Sequence, residues 1–430
     1  MKARYMTVLI AGTLWVTGCM GSGSGLQPQR FTLENGIRVV LVPMPGSENV
    51  SIFTYAPMGM TWDDPGRAQW SHLVEHLAIR STHAAGTQEA NAETLPDHMR
   101  LDFYGTLQNW DEGLSYHAQW LRGTPFSEEN LAKERVNANG ECGITERNLA
   151  THKFAMAAWA QGYRHGRRYV AIKGDLDGAE LGLLQQYRDE RLAVLDKVVV
   201  CLVGNLDVET VKPVIDEKLG HMVSAARCPA PVSTDGAVVD VSWDLTTRHL
   251  VMTWPIPDVS APSYAALYLA AALLQMNVFN DPSMARLTGN VFAGADLNTP
   301  EGPLLYVNAV LQPGVSFEEV RNAIEQHVRG LETDESLRQV PMFGQQLSHQ
   351  LTYVADPNLI WKQAPAQVSM AMIEGNIGLQ WGMREFQYGP SRETLAKNLG
   401  ELNGEAVRNA VAAYLAPAKG HVLAIRPAEE

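Results

Sequence analysis

The sequence predicts an α+β fold built as two similar halves, each a mainly antiparallel sheet with packed helices. Three observations predict it. A stretch rich in Ala, Pro, Ser and Val around Cys228 to Ser233 reads as a linker and divides the chain into two pieces of nearly equal length. Each piece opens on a β-rich segment followed by an apolar helix: Val50 to Tyr55 before the helix around His72, and His249 to Trp254 before Tyr264 to Met276. Each piece closes on a helix and then a strand. Leu192 to Leu195 leads into Lys197 to Gly204, and Val407 to Leu415, stopped by Pro417, leads into Gly420 to Ile425. The order of elements therefore marks a two-copy internal repeat, with expected domains at 28–221 and 238–430 joined by a linker at 222–237.

The N-terminal elements are of another kind. Lys2 and Arg4 precede an apolar run from Met6 to Val16 that is too short to span a membrane as an ordinary helix, so residues 1–18 read as a signal peptide. Val16-Thr17-Gly18-Cys19 resembles the bacterial lipobox, which implies lipidation of Cys19; an ordinary signal cut near Gly18 is the alternative. Gly21 to Gly25 alternates Gly and Ser, so residues 19–27 read as a flexible tether from a lipid anchor. Met20 is not the Asp that favours inner-membrane retention, and the expected location is the periplasmic face of the outer membrane.

Beyond the leader the composition is that of a globular protein, 46% hydrophobic and 19% charged, with no further long apolar run. A net charge of −13 argues against nucleic acid as a partner. Cys142, Cys201 and Cys228 are an odd set and form no disulfide framework. Cys201, inside Val198 to Val203, reads as a buried strand residue.

The chemistry concentrates in the first half. His72-Leu73-Val74-Glu75-His76 places two imidazoles one helical turn apart on one face, able to reach one metal ion, with a carboxylate beside it as a general base. A catalytic zinc commonly takes three protein ligands and keeps one open position. Glu134 and Glu141, two helical turns apart in a helix-compatible stretch, offer the third ligand and a carboxylate to support it. The equivalent helix of the second half, Ala265 to Leu274, carries no His and no acid, and His327 after Glu325-Gln326 has no metal spacing.

These residues resemble the pattern of the M16 metallopeptidases, the group of pitrilysin, insulin-degrading enzyme and the mitochondrial processing peptidase. Their H-x-x-E-H is followed several dozen residues later by E-x6-E, whose second Glu binds zinc. The resemblance implies one Zn2+ per chain held by His72, His76 and Glu141, with Glu75 as base and Glu134 in support. Phe31 to Val40 is similar to the family's opening hairpin, and Asn91-Ala92-Glu93-Thr94 to its N-A-x-T strand, which implies substrate binding at Asn91 and Ala92. Tyr163-Arg164-His165 through Gly174 loosely echoes the family's H-P-Y…G stretch. The resemblance implies a LuxS/MPP-like metallohydrolase fold, two domains facing across a chamber. It implies an endopeptidase acting on peptides or unfolded segments, alone, as a homodimer, or as the zinc-bearing subunit of a heterodimer with a related chain. A non-catalytic peptide-binding or scaffold lipoprotein on the same fold is the other expectation. Where many members carry an Arg and a Tyr over the zinc, this chain has Arg286 and, in place of the Tyr, Phe292.

Overall fold

A computed structural model describes residues 27–82, 90–148, Ala157, Trp159, Ala160, Gly162, 176–192, 194–224, 238–243, 245–353, 357–362 and 368–428. Cys19, the leader, most of the linker, and Tyr163 through Gly174 lie outside the described residues.

The first half forms a six-stranded sheet. Its strands are β1 (Gln29–Thr32), β2 (Arg38–Pro43), β3 (Asn49–Ala56), β4 (Ala90–Thr94), β5 (Met99–Thr106) and β6 (Val199–Gly204), in the order β1-β2-β6-β3-β5-β4. β2 and β6 are parallel and the other neighbours antiparallel. Its helices are α1 (Trp70–Arg80), α2 (Trp110–Arg122), α3 (Glu128–Asn148), α4 (Leu181–Leu192) and α5 (Val208–Leu219). On one face Val39, Leu41, Val50, Ile52 and Val200 pack against Leu73, Val74 and Leu77 of α1 and Leu114 and Trp120 of α2. The central strands are continuous runs of β-branched and aromatic residues, as suits strands covered on both faces.

The second half repeats that sheet without β1. Strands β7 (Val238–Trp243), β8 (His249–Pro255), β9 (Thr288–Leu297), β10 (Leu304–Leu311) and β11 (His421–Pro427) lie in the order β7-β11-β8-β10-β9. Again one pair, β7 with β11, is parallel and the rest antiparallel. The core of this half gathers α6 (Pro262–Asn280), α7 (Phe317–Gly330), α8 (Val340–Thr352), α10 (Arg392–Gly400) and α11 (Gly404–Tyr414), with α9 (Met370–Tyr388) between α8 and α10 in the chain. Mapped strand for strand, β3 corresponds to β8, β6 to β11 and the edge strand β4 to β9.

Each sheet has a second face, and the opposite half covers it. α9 crosses the first sheet, where Ile373, Ile377 and Trp381 pack on Val40, Val42, Phe53, Tyr55, Val199, Cys201 and Val203. Ala157, Trp159 and Ala160 of the first half pack with Trp243, Val251, Leu423 and Ile425 of the second sheet. The approach of α9 is close because Gly378 and Gly382 face the sheet. A Cβ on Gly378 would overlap Val203, and one on Gly382 would overlap Tyr55. Polar contacts complete the join: Glu385 binds Arg30 at 2.9 Å, Glu374 accepts from Ser47 at 2.8 Å, and the Tyr55 hydroxyl donates to the Leu379 carbonyl at 2.6 Å.

Candidate metal centre

α1 is apolar on the face that meets the sheet, through Leu73, Val74 and Leu77, and polar on the face that meets α3. That second face carries His72, Glu75, His76 and Arg80. α3 brings Glu134 and Glu141 against it.

His72 Nε2, His76 Nε2 and one Glu141 oxygen converge. The two nitrogens are 3.2 Å apart, and the Glu141 oxygen lies 3.4 Å from His72 and 3.5 Å from His76. A tetrahedral ion with bonds of about 2.0–2.1 Å sets its donors about 3.4 Å apart, so this triangle has the size of one face of a zinc tetrahedron. Among the described residues it is the group of His, Cys, Asp or Glu side chains arranged to hold a metal ion.

The surroundings orient the donors. His76 turns Nδ1 to Glu134 at 3.0 Å, which fixes the ring and leaves Nε2 aimed at the triangle. Glu134 is itself buried and held by Arg80 at 2.6 Å and Asn137 at 3.0 Å. Burial works to raise its carboxyl, but hydrogen bonds from Asn137, His76 and Arg80 prevail and hold it low. Hydrogen bonds from His72 and His76 hold Glu141 far below the usual carboxylate range. An ionised carboxylate is the form a metal ligand needs. Glu75 differs: burial raises its carboxyl, against the nearby His72 and His76 and a hydrogen bond from Thr94. One oxygen of Glu75 accepts the Thr94 backbone N–H at 2.7 Å.

That bond joins the site to a sheet edge. β4 is the outer strand of its sheet and carries Asn91, exposed, and Ala92, buried, as well as Thr94. The pairing of Leu95 with His98 puts the backbone groups of Ala92 and Thr94 on the side away from β5. Arg286 lies in the last turn of the short helix Pro282–Leu287, and Phe292 stands on β9 opposite Asn308, both in the second half. His327 pairs with Asp281 at 3.0 Å in that half. Cys201 lies fully buried on β6. Sequence reasoning missed Arg80 and Asn137. Arg80 follows His76 by one helical turn and was legible as an anchor for Glu134.

Two packed α+β halves, one with a His2Glu triangle beside a second carboxylate, define a fold with one candidate metal centre among the described residues. Residues 185–337 match the Peptidase M16 inactive domain, a stretch that lies wholly outside the triangle. The chain is 25% identical over 113 residues to an uncharacterized zinc protease of Rickettsia bellii, covering 24% of this chain and 27% of that protein. The curated relatives it matches are spanned over about a quarter to a half of their own length. In fold it is similar to a peptidase M16 inactive domain structure from Pseudomonas fluorescens (TM-score 0.67, 16% identity, 94% of this chain and 98% of that one). It is also similar to a protease from Helicobacter pylori (TM-score 0.64, 15% identity, 94% and 100%). The fold is thus the two-domain M16 peptidase-like fold, and the sequence matches support the M16 peptidase family.

Proposed function

We propose that this chain is a zinc-dependent endopeptidase whose metal is held by His72, His76 and Glu141. The observation that carries the reading is the donor triangle, with sides of 3.2, 3.4 and 3.5 Å, standing next to Glu75. A zinc ion held by His72, His76 and Glu141 would supply Lewis acidity toward a peptide carbonyl and toward water. Glu75 takes a proton from water as the water oxygen bonds to the carbonyl carbon, and delivers it to the leaving amide nitrogen as the C–N bond breaks, which restores the carboxylate. Glu134 keeps His76 in the tautomer that presents Nε2. A substrate segment adds as a strand at β4, where Ala92 offers main-chain partners and Asn91 is exposed to side chains. Main-chain pairing binds many sequences alike, which suits peptides and unfolded segments. Lipidation of Cys19 would hold the enzyme on the envelope; among the described residues no helix is long and apolar enough to cross a membrane. Fractionation of wild type against Cys19→Ser tests that anchor.

A second reading has its own observation. Phe292 brings no hydroxyl to a position where the resembled family often has Tyr, and a lost donor to the developing oxyanion can cost several kcal/mol. The chain would then need a related partner to supply the donor, or would bind peptides without cleaving them. Digestion of a mixed peptide pool, with and without chelator, decides between the readings. Chelator-sensitive cleavage by the isolated chain supports the endopeptidase; bound zinc without cleavage supports the second reading.

A further inference from the structure

The entry to α1 is held by a buried carboxylate that the proposed chemistry does not use. Asp63 is fully buried. One of its oxygens accepts the Ser71 N–H at 3.2 Å and also the Tyr187 hydroxyl, and the other accepts the Ser71 hydroxyl at 3.0 Å. Ser71 lies in the first turn of α1, directly before His72. Tyr187 comes from α4, is itself fully buried, and sets its ring edge-on to Trp70 at 5.8 Å. Gln69, the residue that leads into the helix, supplies no side-chain cap and has φ +66, a left-handed conformation that a non-glycine residue keeps only when its surroundings impose it. Asp63 therefore takes over the capping of α1 from outside the helix and ties it to α4 at the same time.

The consequence reaches the metal ligands through helix geometry. α1 has 11 residues, and His72 and His76 leave it on one face a single turn apart. A small change in the roll of so short a helix moves both rings together relative to Glu141, which belongs to α3. We infer that Asp63 is a positioning residue: by clamping Ser71 to Tyr187 it fixes the roll of α1 and aims His72 and His76 at the point they share with Glu141. What is aimed rests on the zinc reading given above; the clamp does not.

Burial pushes the Asp63 carboxyl up to about 7, against the hydrogen bonds from Tyr187 and Ser71 and the charge of Arg191. Hydrogen-bond geometry, more than full negative charge, is what the clamp needs. An Asn side chain can accept from Tyr187 and the Ser71 N–H through its oxygen and donate to the Ser71 hydroxyl through its nitrogen.

The test compares Asp63→Ala, Asp63→Asn and Tyr187→Phe with wild type in the full chain. Zinc affinity is read by chelator competition, site geometry by the absorption spectrum of bound Co2+, and α1 opening by hydrogen exchange. Asp63→Ala is expected to bind zinc about tenfold more weakly, with an altered Co2+ spectrum and faster exchange in α1. Asp63→Asn should restore most of all three, and Tyr187→Phe should fall between. An Asp63→Ala protein with wild-type affinity, spectrum and exchange overturns the inference. Should Asp63→Ala fail to fold, Tyr187→Phe, lacking one hydroxyl, decides by the same readouts, and a wild-type result there overturns it. If wild type itself takes up no zinc, the zinc reading fails, and exchange in α1 alone decides the clamp.

Discussion

The two halves share a strand order and differ in what their first helix is for. β2-β6-β3-β5-β4 and β7-β11-β8-β10-β9 have the same sequence of one parallel and three antiparallel pairings. α1 follows β3 as α6 follows β8. α1 has 11 residues, buries one face, presents His72 and His76 to α3 and turns Glu75 to Thr94 of β4. α6 has 19 residues, and its run from Tyr264 to Leu274 is buried with little interruption, Ala and Leu turning to every side. A helix apolar all round is a core element; one with a polar stripe can carry a site. Topology alone therefore supplies the scaffold, and a few side chains on one helix and its neighbour form the candidate metal centre.

The largest expected effect attacks that difference directly. His76→Ala removes a donor and leaves Glu134 without its imidazole, so the purified protein should no longer hold stoichiometric zinc on metal analysis. Retention of one zinc per chain would move the metal to other residues.

Next in size is the join between halves. Gly378→Ala forces a Cβ into Val203 and should lower unfolding stability by about 1–3 kcal/mol, with both halves melting in one calorimetric transition. Gly140→Ala is the control, since a Cβ there meets nothing within 4 Å, and helix propensity predicts a gain of about 0.5–1 kcal/mol. Equal effects at the two sites would mean that the glycines of α9 do not set its distance from the sheet.

Glu134→Gln keeps the shape beside His76 but loses the charge paired with Arg80. Zinc affinity should fall about tenfold rather than vanish, measured by chelator competition. Loss equal to that of Glu141→Gln would exchange the roles assigned to the two acids.

A pH dependence sharpens the comparison further. Burial lifts the Asp63 carboxyl from an ordinary value of 3.8 to about 7, so the folded state binds its proton more tightly than the unfolded state. Its contribution to stability is complete below the unfolded value and lost as pH rises through the folded one. Asp63→Asn does not titrate, and its melting temperature relative to wild type should climb between about pH 4 and 7 and level off above. A difference independent of pH would mean that Asp63 is ionised throughout.

Much of this comparison was legible in the sequence. The strands at Val50 to Tyr55 and His249 to Trp254, the two closing strands, and the helical turn between His72 and His76 all follow from short-range periodicity. The Glu134–Glu141 spacing placed both acids on the face of α3 that meets α1. What local pattern could not show is contact between distant segments. Gly375, Gly378 and Gly382 lie against the first sheet, far away in the chain, a contact that no local pattern encodes. Asp63 and its partner Tyr187 stand 124 residues apart, and only the fold brings them together.

In the proposed function Glu75 is the base beside a metal held by its neighbours. Glu75→Gln, assayed side by side with wild type for zinc content and peptide cleavage, tests it most directly. The variant should keep wild-type zinc content and cleave about 10²–10⁴-fold more slowly, the usual contribution of a general base. Cleavage by Glu75→Gln at the wild-type rate would contradict it.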